Sequence, residues 1–300
     1  MGERGRVASR TAVLVCQGRA VADGRSGDGG RFGDPVAVRL LRDAERAVVD
    51  EVRAGTPPQG WAARTAYESV RACAELMVPR TVAIDEAVTE RVRGQLVVLG
   101  AGLDTRAWRL AGLERTDVWE VDHPASQEDK RARLTDAGAP DGLPAVARSV
   151  RFAPVDLAVD DLGAALDAAG HDPAAPTTWL WEGVVPYLTA QEVRATVAAL
   201  AARSAPGSAL VVNYQAPSAK AALGRLLTRF LGSSVTAGEP WRSLWKPAGL
   251  AALLAEHGMR VVRDRALSEV AAGGDGGRPA GTSLRSGRVA VAECGGGLTG

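Results

Sequence analysis

Gln95-Leu96-Val97-Val98-Leu99-Gly100-Ala101-Gly102-Leu103-Asp104-Thr105-Arg106 decides the fold. An apolar run of strand length ends in two close glycines, and the chain then turns back towards a helix. About 20 residues further on, a second short strand, Asp117-Val118-Trp119-Glu120-Val121, ends in Asp122, which is the spacing of a nucleotide-cofactor site on a parallel sheet. Glycine at the turn lets backbone approach a ligand where a Cβ would collide. The carboxylate after the second strand offers two oxygens to the two hydroxyls of a ribose. Its alternative role is a helix N-cap, where Asp is also favoured.

The turn itself bears on which cofactor it holds. Dinucleotide sites favour G-x-G-x-x-G, with a third glycine packing helix on strand and a pyrophosphate at the helix N-terminus. Here that third position is Thr105. The loop also carries Asp104, which would repel a pyrophosphate and attract a cation. S-adenosylmethionine has no phosphate, but it has a sulfonium and an α-ammonium. The bland alternative for two glycines alone is an ordinary tight turn between strand and helix.

Three blocks occur in order: Gly100-Ala101-Gly102-Leu103-Asp104-Thr105-Arg106, Glu120-Val121-Asp122-His123-Pro124, and Trp181-Glu182-Gly183-Val184-Val185-Pro186-Tyr187-Leu188. Together they resemble the leucine carboxyl methyltransferase family, in particular its bacterial branch of small-molecule O-methyltransferases. The likeness runs from about Thr11 to about Val212 and is dense from Arg80 to Leu188. It implies a doubly wound, mostly parallel, seven-stranded Rossmann-like α/β sheet and S-adenosyl-L-methionine as cofactor, with S-adenosyl-L-homocysteine as product.

Composition agrees with a globular protein. The chain has 300 residues, formal net charge +1 and 46% hydrophobic residues, enough for a sizeable core. Near-neutral charge argues against electrostatic capture of nucleic acid or of an anionic membrane. The three cysteines, Cys16, Cys73 and Cys294, are scattered and odd in number, so no disulfide framework or zinc site is expected and a reducing cytoplasm fits. No apolar run reaches the roughly 18 residues of a membrane span. No cluster of His, Asp and Glu has metal-ligand spacing, so no metal is expected.

Residues 1–10 read as a loose tail, followed by a helix from Thr11 to about Val21 and a Gly-rich stretch from Asp23 to Gly33. Helical spacing predicts one helix from Pro35 to about Arg53, another from Trp61 to about Met77, and a short one from Asp85 to Val92 with Asp85 as N-cap. From Gln95 onward strands and helices alternate, the mark of a doubly wound α/β domain. Strands are expected near 96–100, 117–121, 150–155, 177–182, 208–214, 259–264 and 287–293, with a helix from about Gln191 to Ala202. The division expected is a helical extension over 1–94, then the cofactor domain over 95–300. An excursion at 215–247, carrying Trp241 and Trp245, is expected to be a lid over the acceptor pocket. Gly273 to Gly281 and Gly295 to Gly297 read as low-complexity loop and tail.

The resemblance assigns further residues. Asp156-Leu157, after the third strand, would meet the adenine, with the Asp accepting from its exocyclic amine. The alternative for Asp156 is a simple turn residue. Glu182 would lie near the methionine part of the cofactor. Arg80 would clamp the cofactor carboxylate, since a guanidinium gives two parallel hydrogen bonds to it; otherwise it is a solvated helix-end cation. Tyr187 would face the acceptor, its alternative being core packing with a satisfied hydroxyl. Tyr67 and Arg64 are weaker acceptor-side candidates, and His123 could accept a proton but is better placed to shape the adenosine pocket. His171 and His257 have no evident partner.

The expected chemistry is direct displacement at the sulfonium methyl, with the protein aligning the reactants and excluding water. No catalytic base stands out. A carboxylate acceptor is ionised near neutral pH and needs none, whereas a hydroxyl would need one or a lowered pKa. This absence favours a carboxylate or acidic hydroxyl, and the resemblance implies a small-molecule acceptor in secondary metabolism. Two rivals remain: a protein that binds S-adenosylmethionine without methyl transfer, and an NAD(P)-dependent oxidoreductase. The missing third glycine and the lack of a Tyr-x-x-x-Lys pair count against the second.

Overall fold

The computed structural model describes residues 9–23, 32–138, 143–157, 159–217, 242–272, 284 and 286–295. Residues 1–8 of the expected tail, most of the Gly-rich stretch, the body of the expected lid with Trp241, and the 273–281 loop lie outside these residues.

Seven strands form one sheet: β1 (Gln95–Leu99), β2 (Asp117–Asp122), β3 (Ser149–Pro154), β4 (Thr177–Trp181), β5 (Ala209–Gln215), β6 (Met259–Ala266) and β7 (Gly287–Cys294). Their spatial order is β3-β2-β1-β4-β5-β7-β6. The first five run parallel, while β7 is antiparallel to both β5 and β6. The mostly parallel, doubly wound sheet expected from the sequence is therefore present, and every expected strand lies within about two residues of its place. The strand order reverses between β1 and β4. At such a switch point the loops leaving the carboxyl ends diverge and open a crevice for a ligand.

Central strands are buried on both faces, which is why they read as continuous apolar runs. Their side chains still alternate between two cores. Leu96, Val98, Leu180 and Val211 enter the first, while Val97, Leu99, Trp179, Trp181, Leu210 and Val212 enter the second. The first core also takes residues of α1 (Arg10–Ala22), α2 (Asp43–Ala54) and α3 (Trp61–Arg91), so these N-terminal helices share one packed interior with the sheet. The second is closed by α6 (Leu162–Ala168), α7 (Ala190–Ala202) and α8 (Pro247–Glu256). The short helices α4 (Arg106–Arg109) and α9 (Leu267–Ala272), with α5 (Pro124–Gly138), complete the connections.

Two expectations in the N-terminal third need correcting. The helix expected from Pro35 to Arg53 is a 3-10 turn, Ala37–Leu40, followed by α2. Leu41 and Arg42 are extended between them. The Arg42 N–H donates to Glu45 Oε2 at 2.8 Å, and Arg133 holds the same carboxylate with bonds of 2.6 and 2.9 Å. This cap starts the second helix afresh. Conversely, the helices expected at 61–77 and 85–92 are one helix, α3, which passes through Pro79. An interior proline removes one backbone hydrogen bond and costs roughly 3 kcal/mol. The cost is borne in a buried stretch, since every residue from Pro79 to Ile84 is buried. Asp85 is thus a mid-helix residue rather than an N-cap, and its carboxylate is free to reach across to α4.

Candidate cofactor-binding site

The turn after β1 is tied directly to the end of β2. Gly100 and Ala101 donate their N–H groups to Val121 O at 2.8 and 3.1 Å, and the Asp104 N–H donates to Ala101 O at 2.7 Å. Gly100 and Gly102 have φ of +63° and +47°, the left-handed region that favours glycine. The Gly102 N–H reaches Asp122 Oδ2 at 2.5 Å, and the His123 N–H reaches Asp122 Oδ1 at 2.7 Å. Each oxygen keeps a further acceptor direction, so Asp122 is oriented but not used up. Burial raises the Asp122 carboxyl from its ordinary pKa, against the pull of those two N–H groups.

A cavity of about 310 Å³ opens at the switch point between β1 and β4. This is within the range of small-molecule sites, which begins near roughly 300 Å³. Gly100, Ala101, Gly102, Asp104, Asp122, Arg80, Glu182 and Tyr187 all line it. So do Ala12, Val15 and Arg19 from α1 and Ser126 from α5, none of which was singled out in the sequence. His123 is exposed and forms no part of the wall; its Nδ1 accepts from the Ala125 N–H at 3.2 Å at the start of α5. Asp156 and Leu157 follow β3 as expected, yet neither is in the wall. The Asp156 N–H is taken by Asp160 Oδ2 at 2.8 Å, and Leu157 packs on the second core. Tyr67 and Arg64 also lie apart from the cavity: Tyr67 is buried, and exposed Arg64 stacks over its ring and pairs with Glu68 at 3.0 Å.

Around the cavity four arginines alternate with four carboxylates. Arg19 Nε donates to Asp34 Oδ2 at 2.8 Å, and Arg109 Nε stands 3.4 Å from the same oxygen. Arg109 Nη1 donates to Asp85 Oδ2 at 2.7 Å, and Arg106 Nε to Asp85 Oδ1 at 2.6 Å. Arg106 Nη1 then serves Asp104 Oδ2, and also Glu182 Oε2 at 2.8 Å. Arg80 ends the chain, with its Nε 2.7 Å from Glu182 Oε1. Burial pushes the Glu182 and Asp104 carboxyls up, but the neighbouring guanidiniums, Arg106 foremost, hold both below the ordinary carboxylate range. Asp104 is therefore ionised, with one oxygen accepting the Arg106 N–H at 2.7 Å and the other the Arg106 side chain.

The last pair differs from the others. Arg80 Nε and Glu182 Oε1 are close, yet they do not form a hydrogen bond, and both atoms are buried without a hydrogen-bond partner among the described residues. A buried donor and acceptor left like this each forfeit free energy, so a better partner for either would be favoured. Both residues face the cavity. A zwitterion carrying a carboxylate and an ammonium matches them.

Sequence reading missed Arg19, Asp34, Asp85, Arg106 and Arg109. Asp104 and Arg106 stand two residues apart in a quoted motif, which is a usable signal for a local ion pair. Asp34 leaves no such trace, because its side-chain partners Arg19 and Thr105 are remote in the chain. Of the histidines, His171 does find a partner. Its Nε2 is 2.9 Å from Thr177 Oγ1, and its ring sits edge-on to Trp119 with 5.2 Å between centroids. Among the described residues no group of His, Cys, Asp and Glu could hold a metal, and no helix is long and apolar enough to cross a membrane.

The leucine carboxyl methyltransferase family matches residues 12–201. A Mycolicibacterium smegmatis protein, provisionally named an S-adenosyl-L-methionine-dependent methyltransferase, is 36% identical over 207 residues, covering 68% of this chain and 66% of its own length. A similarly named Mycobacterium bovis BCG protein is 35% identical, with 68% and 64% covered, so the match spans just under two thirds of either relative. A third, from Mycobacterium sp. strain JLS, is 33% identical over 277 residues, covering 84% of this chain and 88% of its own. Among solved structures, a provisionally named methyltransferase from Thermobifida fusca YX has the same fold, with a TM-score of 0.52, 16% identity and 94% of each chain covered. Motif order, sheet and family match agree: the chain belongs to the leucine carboxyl methyltransferase family.

Proposed function

We propose that the protein is an S-adenosylmethionine-dependent O-methyltransferase that methylates a small-molecule carboxylate or acidic hydroxyl. The observation that carries this reading is the imperfect Arg80–Glu182 pair facing a cavity roofed by the glycine turn. Arg80 would take the methionine carboxylate, Glu182 the α-ammonium, and Asp122 the ribose hydroxyls. The Gly100-Ala101-Gly102 turn, which lines the cavity, would lie against the cofactor through its backbone, and Asp104 would add negative potential beside the cationic sulfur. Asp156 and Leu157 are assigned to adenine, and His123 to the rim of the adenosine pocket, on family likeness alone.

The cofactor supplies a methyl group on a positively charged sulfur. The chain's own task is to orient the partners and keep water out. Val15 and Ala12 of α1 present apolar surface to the cavity, which suits the second task. Tyr187 would border the acceptor. Among the described wall residues the titratable groups are Arg19, Arg80, Asp104, Asp122, Glu182 and Tyr187; Asp104 is paired with Arg106, Glu182 accepts from Arg106 through Oε2, and Asp122 accepts two backbone N–H groups. An acceptor that arrives ionised needs no base, which favours a carboxylate or a phenol-like hydroxyl. In this reading the helices α1 to α3 cap the site, and the protein works in the cytoplasm on a secondary metabolite.

The test is incubation with S-adenosylmethionine and a panel of carboxylic acids and phenols, with S-adenosylhomocysteine measured by chromatography. Acceptor-dependent product supports the reading. Cofactor binding with no acceptor-dependent turnover across the panel would instead indicate a binding protein.

A further inference from the structure

We infer that Arg106 is a positioning residue for the amino-acid end of the cofactor. It holds Glu182 in place and so sets affinity for the methionine part without touching the ligand. This rests on the cofactor reading above. Arg106 is 2% exposed and is not part of the cavity wall. Its Nη1 donates to Glu182 Oε2 at 2.8 Å and its Nε to Asp85 Oδ1 at 2.6 Å. Asp85 is itself held by Arg109 Nη1 at 2.7 Å, so the lever is anchored from α3.

The consequence lies at the other oxygen of Glu182. Oε1 stands 2.7 Å from Arg80 Nε without a hydrogen bond. A carboxylate and a guanidinium left to themselves settle into a two-bond fork. Arg106 prevents this by keeping Oε2 for itself, so Glu182 cannot turn both oxygens onto Arg80. Without that restraint the two groups that would receive the zwitterion neutralise each other across the cavity. Lysine cannot substitute, because one ammonium does not span Asp85 and Glu182 in the plane of a guanidinium.

The experiment is calorimetric binding of two ligands to wild type, Arg106→Lys and Asp85→Asn. S-adenosylhomocysteine carries the amino-acid part, and 5′-methylthioadenosine lacks it. In either variant the affinity for S-adenosylhomocysteine should fall roughly tenfold, the size of one lost charge-assisted hydrogen bond, while that for 5′-methylthioadenosine stays within about twofold. An equal loss for both ligands, or no loss for either, overturns the proposal. Asp85→Asn keeps the test open if Arg106→Lys does not fold, as judged by its melting curve. Wild type that binds neither ligand defeats the cofactor reading itself, and the positioning role with it. That result is distinct from a wild type that binds and a variant that shows no split.

Discussion

Val184 occupies the space that a side chain on Gly100 would need: a Cβ built there would overlap Val184 Cγ2. The turn after β1 and the turn after β4 therefore meet backbone against side chain, at the point where the strand order reverses. Gly100→Ala adds this clash to a φ of +63°. The strained backbone alone costs roughly 1–3 kcal/mol. The variant should melt several degrees lower and lose S-adenosylhomocysteine binding, measured by thermal unfolding and calorimetry. Gly102→Ala, whose Cβ would stand 3.1 Å from Ala12 Cβ, should be milder in the clash while sharing the positive-φ strain.

Asp122 accepts from two backbone N–H groups and keeps acceptor capacity towards the cavity. Asp122→Ala should weaken S-adenosylhomocysteine binding by roughly tenfold or more, given that two hydroxyl contacts vanish. The fold should persist, since β2 is held by its neighbours on both sides. Unchanged affinity in a folded Asp122→Ala protein would remove the ribose from this position.

Asp34 is fully buried and gathers the Arg19 side chain, the Thr105 hydroxyl at 2.7 Å and the Ala37 N–H at 3.0 Å. Asp34→Ala strands the buried Arg19 cation and should cost roughly 3–5 kcal/mol of stability. Chemical denaturation should show the midpoint shift with little change in slope. A loss within the scatter of surface substitutions would mean that the alternating charges do not act as a unit.

His171 is pushed down from 6.5 to about 4, chiefly by burial between Trp119 and Trp179. The folded state thus binds fewer protons than the unfolded chain between those values. Its contribution is complete above pH 6.5 and is lost as pH falls towards 4. Wild type should lose on the order of 2 kcal/mol to this group across that window. His171→Gln should show a shallower fall when denaturation midpoints at pH 7.5 and 5 are compared, and parallel curves for the two proteins would contradict it.

The sheet was legible in the sequence because its central strands β1 and β4 are short, buried, mostly apolar runs that end at Gly100 and Glu182. The motif residues Gly100, Gly102, Asp122, Arg80 and Glu182 were legible because they sit at strand ends or beside recognisable blocks. The helix boundaries around Pro79 and Leu41 were not, since tertiary packing and the remote Arg133–Glu45 pair decide them. The charge network was hidden for the same reason. Asp34 meets Thr105 across 71 residues, and no local pattern signals such a contact. The wall contributed by α1 was missed because Ala12, Val15 and Arg19 carry no signature of their own.

The central claim is that the switch-point cavity holds S-adenosylmethionine. The most direct test is calorimetric titration of the purified protein with S-adenosylhomocysteine, alongside NADH and NADPH. The account predicts one site per chain with micromolar affinity for S-adenosylhomocysteine and no heat from either nicotinamide. Binding of a nicotinamide cofactor with none of S-adenosylhomocysteine would contradict it.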